Sequence, residues 1–407
     1  MNRPINNLFI LFLAGMISCS ENNGKFKEGT FGYDVTRLSG KDGSLHVLTD
    51  DEGKGMAIVS AKYQAKVFTS TSEGMKGASI GYVNYKILDS DTVDPHMNGY
   101  GGENRFWLGP EGGRYSIFFA PGTEQIYDHW HTPSAIDTEA WDVVVAGQKA
   151  ITLKKDIEVI NYQGERLKVR ADRTISLVER AEIEKTLDVE LKDGLQTVAY
   201  VTHNSITNRN DFEWTQETGA ICIWILDMFP PSPEATTVIP FRDGDEASMG
   251  KIVTSDYFGD VPADRLKIAK NVIYLRTDGK FRSKLGLNGK RTKSVAGNYD
   301  PLSNRLTIIT FNVDEDAVYL NQEWNPMKNP LEGDAMNAYN DGPLADGSIM
   351  GPFLELESVS PAAFLQPEQT LYHRHTVYHF IGSRQALEPI AQKMLGIGIY
   401  DIQNAFK

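Results

Sequence analysis

Short runs rich in β-branched and aromatic residues, separated by turn formers, constrain this chain more than any other feature. Met56-Ala57-Ile58-Val59, Tyr115-Ser116-Ile117-Phe118-Phe119, Val272-Ile273-Tyr274-Leu275 and the stretches Thr197 to Thr202 and Leu306 to Val313 are of this kind. Lys192-Asp193-Gly194, Thr277-Asp278-Gly279 and Asp300-Pro301-Leu302-Ser303-Asn304 punctuate them. Branched and aromatic side chains suit a pleated, half-buried surface, and Gly, Pro, Asn and Asp supply the tight turns. Helical periodicity is weak, best at Ser383 to Met394 and near Gly32 to Leu38. No fixed short repeat and no proline-rich linker divides the chain. The pattern predicts an all-β, antiparallel body of sandwich type with few short helices, a single domain over residues 30–407.

The first residues point to an address. Leu8 to Leu13 is apolar, Ala14-Gly15-Met16-Ile17-Ser18 leads into Cys19, and Arg3 is the one basic residue before them. A short apolar run ending in small residues reads as a secretory signal, well below the about 20 residues that span a bilayer. Met16-Ile17-Ser18-Cys19 resembles the lipobox of bacterial lipoproteins, with ordinary cleavage near Ser18 as the alternative. Residues 1–18 are thus expected to be a signal peptide, Cys19 the lipidated residue, and 19–29 a polar tether. The expected location is the cell envelope, lipid-anchored to a bacterial membrane, outer membrane or periplasm.

Charge narrows the partners. The chain carries a net charge of −13 with no lysine-arginine block, which argues against nucleic acid and against docking on anionic lipid. Of its two cysteines only Cys222 follows Cys19, so the mature chain has no internal disulfide. Set in Ala220-Ile221-Cys222-Ile223-Trp224, it reads as a small buried hydrophobe.

Two segments carry the chemistry. Gly101-Gly102-Glu103-Asn104-Arg105-Phe106-Trp107 offers charge, amide and indole beside glycines that let a ligand approach the backbone. Phe353-Leu354-Glu355-Leu356-Glu357-Ser358 puts Glu355 and Glu357 on one strand face with the leucines opposite. Two carboxylates about 7 Å apart on one face repel, which raises the pKa of at least one. This set of groups suits a sugar better than a phosphate.

Longer strings carry a resemblance. They are Gly101 to Gly113, Asp128-His129-Trp130-His131-Thr132-Pro133, Asp256-Tyr257-Phe258-Gly259, Tyr339-Asn340-Asp341-Gly342-Pro343 and Glu355 to Ala363. Over nearly the whole mature chain they resemble a family of uncharacterised secreted bacterial lipoproteins placed in the galactose-mutarotase-like, or aldose 1-epimerase-like, superfamily. That resemblance implies a β-supersandwich with a concave sugar-binding face, and no proven reaction. It implies Glu355 as base, with Glu357 beside it, and Asn104 with Arg105 holding the sugar; Trp107 offers an apolar plate for a ring face, and Asn340 and Asp341, in a turn shortly before the Glu355 strand, are further candidate substrate-binding residues or serve the turn alone. The superfamily's acid, a histidine, has no counterpart in Trp224 to Pro230, where Asp227 takes the place. His203 and His129 are the remaining candidates for the acid.

Alternatives stay open at several positions. A structural ion pair of Glu103 with Arg105, with Trp107 in the core, accounts for the first segment equally well. His129-x-His131 and His373-x-His375, with His379 on the same strand face, have the alternation that can chelate a metal. The plainer reading leaves the histidines of the second strand solvated, and neither a metal nor a cofactor is expected. Arg282 and Lys284 alternate and could meet an acidic sugar or face solvent. Trp324 is a sugar-stacking platform or a core residue. The expected ligand is a sugar or oligosaccharide, held by a lipid-anchored carbohydrate-active protein with an aldose 1-epimerase-like cleft, either an epimerase or a related sugar-modifying enzyme. The alternatives are a non-catalytic glycan-binding envelope lipoprotein and a structural one.

Overall fold

The computed structural model describes residues 25–90, 92–344 and 346–407. The expected signal peptide, Cys19 and the start of the tether lie outside the described residues. Among the described residues eighteen strands follow in chain order. They are β1 (His46–Thr49), β2 (Met56–Ser60), β3 (Lys66–Thr71), β4 (Arg105–Gly109), β5 (Asp142–Ala146) and β6 (Ala150–Ile160). Next come β7 (Arg166–Leu177), β8 (Gln196–Asn208), β9 (Cys222–Phe229), β10 (Thr236–Pro240), β11 (Leu266–Ala269) and β12 (Val272–Arg276). The last are β13 (Ser283–Leu287), β14 (Val295–Asp300), β15 (Arg305–Phe311), β16 (Met336–Asn340), β17 (Leu354–Val359) and β18 (Thr370–Ile381).

The strands form a three-stranded sheet β1-β2-β3, a ten-stranded sheet β11-β12-β10-β14-β15-β18-β8-β7-β6-β5 and a five-stranded sheet β13-β16-β17-β9-β4. The protein is therefore mostly β, as its sequence leads one to expect. The pairings are antiparallel, among them Glu355 opposite Met228 and Tyr339 opposite Glu355.

Burial explains how the layers stack. Along β7 the even-numbered positions are exposed or half-buried while Leu167, Val169, Ala171, Arg173, Ile175 and Leu177 are buried, the alternation of a strand with one wet face. In β9 and β17 every residue is buried. The five-stranded sheet is thus covered on both sides, by the ten-stranded sheet on one and by loops on the other. One core cluster runs through all three sheets, from Val67 and Phe106 to Ile225, Leu356 and Val377.

Among the described residues six α-helices flank the strands: α1 (Phe31–Ser39), α2 (Tyr85–Leu88), α3 (Arg180–Leu187), α4 (Glu246–Met249), α5 (Arg384–Leu395) and α6 (Ile399–Gln403). Both expected helices form, as α1 and α5. Ser383 caps α5 by accepting from Ala386 N at 3.3 Å, and Gly396 beyond its end has φ 74°. Leu387, Ile390, Ile399 and Ile402 then pack with Tyr378 and Phe380 on the outer face of the ten-stranded sheet. Tyr115 to Phe119, expected as a strand, is an irregular buried loop. Ser116 turns it by accepting from Phe118 N at 3.1 Å, so a run apolar enough for a strand serves as cover for the sheet below. Among the described residues no helix is long and apolar enough to cross a membrane.

Candidate functional site

The five-stranded sheet positions the site by simple alternation. Its inner face carries Phe106, Leu108, Ile225, Leu354, Leu356 and Ala338, which join the core. The opposite, outer face carries Arg105 and Trp107 from β4, Trp224 and Met228 from β9, Glu355 and Glu357 from β17, Tyr339 from β16 and Lys284 from β13. Glu355 and Glu357 share a face with the leucines opposite, as the sequence leads one to expect. The surprise is how deeply this charged row is covered: Arg105 is 5% exposed and Glu355 7%.

Buried charges persist only where they are paired, and these are. Arg105 Nη2 donates to Glu355 Oε1. Burial pushes the Glu355 carboxyl up to about 8, against the pull of Arg105 and with the push of Glu357. Lys284 Nζ lies 3.3 Å from Glu357 Oε2, which also accepts from Trp224 Nε1 at 2.8 Å. The Lys284 ammonium stands 4.8 Å from the centre of the Trp224 ring. Burial alone would lower its pKa, but Glu357, Glu111 and Glu355 outweigh it and raise it. Burial raises the Glu111 carboxyl, against the pull of Lys284.

The row continues past both ends of the sheet. At the β13 edge Tyr257 Oη donates to Asp334, whose carboxyl burial raises to about 6. A cavity of about 410 Å³ opens beside Asp334, lined also by Gly286, Asn288 and Tyr319. Gly286 leaves room for this carboxylate, since a Cβ on it would stand 2.0 Å from Asp334 Oδ2 and the carboxylate would have to move. Tyr339 donates to Asp341 Oδ1 at 3.0 Å and accepts from Arg282 Nε at 3.2 Å, and Arg282 lies over the Phe258 ring at 3.8 Å. At the β4 edge Lys66 Nζ donates to Gly101 O at 2.9 Å, and burial, then Arg105, lowers it to about 7. Gly102, at φ 125°, leaves the room between them: its Cβ would meet Lys66 Cδ at 2.9 Å and Arg105 Cγ at 3.4 Å.

Several sequence expectations are corrected. Asn104 points inward, donating to Asp227 Oδ1 at 2.5 Å and accepting from Arg173, because it precedes Arg105 and alternation turns it to the other face. Asn340 also faces inward and braces a loop, accepting from Gly279 N at 3.0 Å and donating to Phe281 O at 2.8 Å. His203 is exposed on the outer face of the ten-stranded sheet, so two sheets separate it from Glu355. His129 is exposed on a short 3-10 turn, with its Nδ1 donating to Glu124 O at 2.9 Å, and no contact brings it to Glu355. Glu103 pairs with Ser70 and His379 rather than with Arg105. Trp107 stays beside Arg105, 5.1 Å from guanidinium to ring centre, and Asp341 lies behind Tyr339.

The histidines of β18 are buried, not solvated. His375 Nε2 donates to Asp227 Oδ2 at 2.7 Å, which leaves His375 Nδ1 to accept from Ser358 Oγ at 2.8 Å. Ser358 in turn accepts from His373 Nε2 at 2.8 Å, so His373 Nδ1 is an acceptor and has no partner. The result is a row of hydrogen bonds across the two sheets that converges on the Asp227 carboxylate, from Arg173 through Asn104 on one side and from His373 through Ser358 and His375 on the other. Asp227 is thus committed to the sheet interface. Burial pushes the His373 imidazole down to about 3 and the Cys222 thiol up to about 12. Among the described residues no group of three or more His, Cys, Asp and Glu is arranged to hold a metal.

Sequence reasoning missed Lys66, Asp137, Glu111, Tyr257 and Asp334. Glu111 and Tyr257 sit inside the strings singled out above, but only the folded sheet brings them to Lys284. Asp137 reaches the β4 edge because Asn98 donates to it through both backbone and side chain. Nothing local to Lys66 or Asp334 marks them.

An antiparallel sandwich with a covered, charged and aromatic sheet face defines a β-sheet protein with one built polar site. The chain belongs to DUF6786, a family of unknown function whose model matches residues 29–406. No curated protein matches it. Among solved structures it is similar to the Slr1438 protein of Synechocystis, at 12% identity, TM-score 0.49, covering 82% of this chain and 95% of that one. A galactose mutarotase-like protein from Lactobacillus casei aligns at 11% identity, TM-score 0.47, over 82% and 99% of the two chains. A galactose mutarotase related enzyme from Lactobacillus acidophilus aligns at 8% identity, TM-score 0.43, over 83% and 97%.

Proposed function

We propose that the outer face of the five-stranded sheet binds a saccharide and that Glu355 exchanges a proton with its anomeric hydroxyl. The observation that supports this most is Glu355 itself, a carboxyl raised to about 8 and gripped by Arg105. Near neutral pH such a group is divided between its protonation states, as a proton-transfer residue must be. Around it stand indole, phenol, guanidinium and ammonium groups that can donate to hydroxyls. In the reaction Glu355 takes the anomeric proton as the ring C–O bond opens to the aldehyde, and a proton is returned from Glu355 to the ring oxygen through solvent water; ring closure runs the same proton moves in reverse. Reclosure on the other carbonyl face inverts the anomeric centre.

A second reading is favoured by one observation: neither His203 nor His129 stands across from Glu355. In that reading the same face captures a glycan without turning it over. The test is binding of a panel of monosaccharides and uronates by the full chain, with anomer exchange followed on any sugar that binds. Exchange lost in Glu355→Gln with binding retained supports catalysis. Binding without exchange in the unaltered protein supports capture. No binding to any member overturns both. We further propose that acylated Cys19 holds the protein on a bacterial envelope membrane.

A further inference from the structure

A row of aromatic rings leads away from the Arg105 face to the surface. Trp107, beside Arg105, lies 5.6 Å from Phe118 between ring centres. Phe118 stacks on Trp130 at 5.9 Å with planes 10° apart. Trp130 stacks in turn on Trp324 at 6.0 Å and 24°, and on Tyr127 at 6.2 Å and 20°. His96 continues the row from Tyr127 at 4.6 Å. The outer members are open to solvent, Tyr127 at 57% and Trp324 at 36%. Aromatic pairs settle into offset-stacked or edge-on arrangements, and both occur in this protein. Four pairs lie within about 25° of parallel, branching at Trp130, and both arms end in rings open to water.

Two further observations tie this row to the polar site. Trp324 adjoins Glu111, whose carboxyl feels both Lys284 and Glu357. The indole nitrogens of Trp107 and Trp130 and Nε of Arg105 have no hydrogen-bond partner. The exposed rings of Tyr127 and Trp324, leading inward to unpartnered N–H donors, match one ligand chemistry, the apolar C–H face and hydroxyl rim of a sugar ring.

Resting on the saccharide reading above, we propose that the ligand is a chain of sugars, with Trp324 and Tyr127 carrying the units beyond the one held at Arg105 and Glu355. The platform supplies affinity that grows with chain length, while the buried row selects the terminal unit.

The experiment titrates the full chain, and its Trp324→Ala and Tyr127→Ala variants, with oligomers of one to six units. The probes are β-1,4-linked glucose, β-1,4-linked N-acetylglucosamine and α-1,4-linked galacturonate series. Both altered side chains are partly exposed, and thermal unfolding checks that the variants remain folded. In at least one series the unaltered protein should bind the longest member about tenfold more tightly than the monomer, the gain of one well-stacked ring. Each substitution should remove most of that gain. Equal affinity for monomer and hexamer, or a length gain that survives both substitutions, overturns the extended platform and leaves the single-sugar site standing. No binding in any series overturns the site and the platform together.

Discussion

At the scale of single residues, the outer face is a balance of costly charges. Arg105 and Glu355 are each held by the other, so removing one strands its partner in a site that water barely reaches. Arg105→Ala is expected to lower stability by about 3–5 kcal/mol in urea denaturation, whereas Arg105→Met combined with Glu355→Leu recovers much of the loss. If proton exchange occurs at Glu355, its rate rises from pH 6 toward 8 as the carboxyl ionises and levels above, a profile that Glu355→Gln abolishes. His373 gives the opposite kind of test. Its folded pKa, about 3, lies below the ordinary value of 6.5, so between these limits the unfolded chain takes up a proton that the native protein refuses. Stability therefore falls on acidification through that window, by about 1.4 kcal/mol per pH unit for this group. Denaturation midpoints measured from pH 7 to 4 should show this slope, and His373→Gln should reduce it.

At the scale of elements, strand β13 shows how a glycine shapes a site that it does not touch chemically. Gly286→Ala would push Asp334 off Tyr257 and is expected to cost about 1–3 kcal/mol, with loss of the Asp334 titration near pH 6 followed by carboxyl NMR. Legibility in the sequence also varies by element. β17 was readable because its leucines and glutamates alternate, and α5 because Ser383 and Gly396 bracket an amphipathic stretch. Tyr115 to Phe119 misled, because an apolar run reads alike whether it pairs in a sheet or lies over one. Asn104 and Asn340 misled for a different reason: the strings that hold them carry site residues, but alternation turns every second side chain to the other face. Long-range partners such as Lys66, Lys284 and Asp334 come together only through sheet order, which local pattern does not encode.

At the scale of the whole molecule, the described body and the leading segment make separable predictions. Replacing Cys19 with Ser should release the chain from the membrane fraction into the soluble one on cell fractionation, with its fold unchanged by circular dichroism. Within the body, the hydrogen-bonded row that meets at Asp227 does something that apolar packing cannot. Two greasy sheet faces can slip past one another at small cost, because one methyl replaces another as neighbour. Each donor in the row has one acceptor placed for it, and the bonds meet at the Asp227 carboxylate from both ends, so a slip by a single residue would leave buried partners unmatched along its length. The row therefore works as a key in a slot, fixing the shear of one sheet against the other. A floor locked in this way cannot adapt its shape to a guest, so any accommodation must come from the loops that roof it, and guests that need a wider floor are turned away.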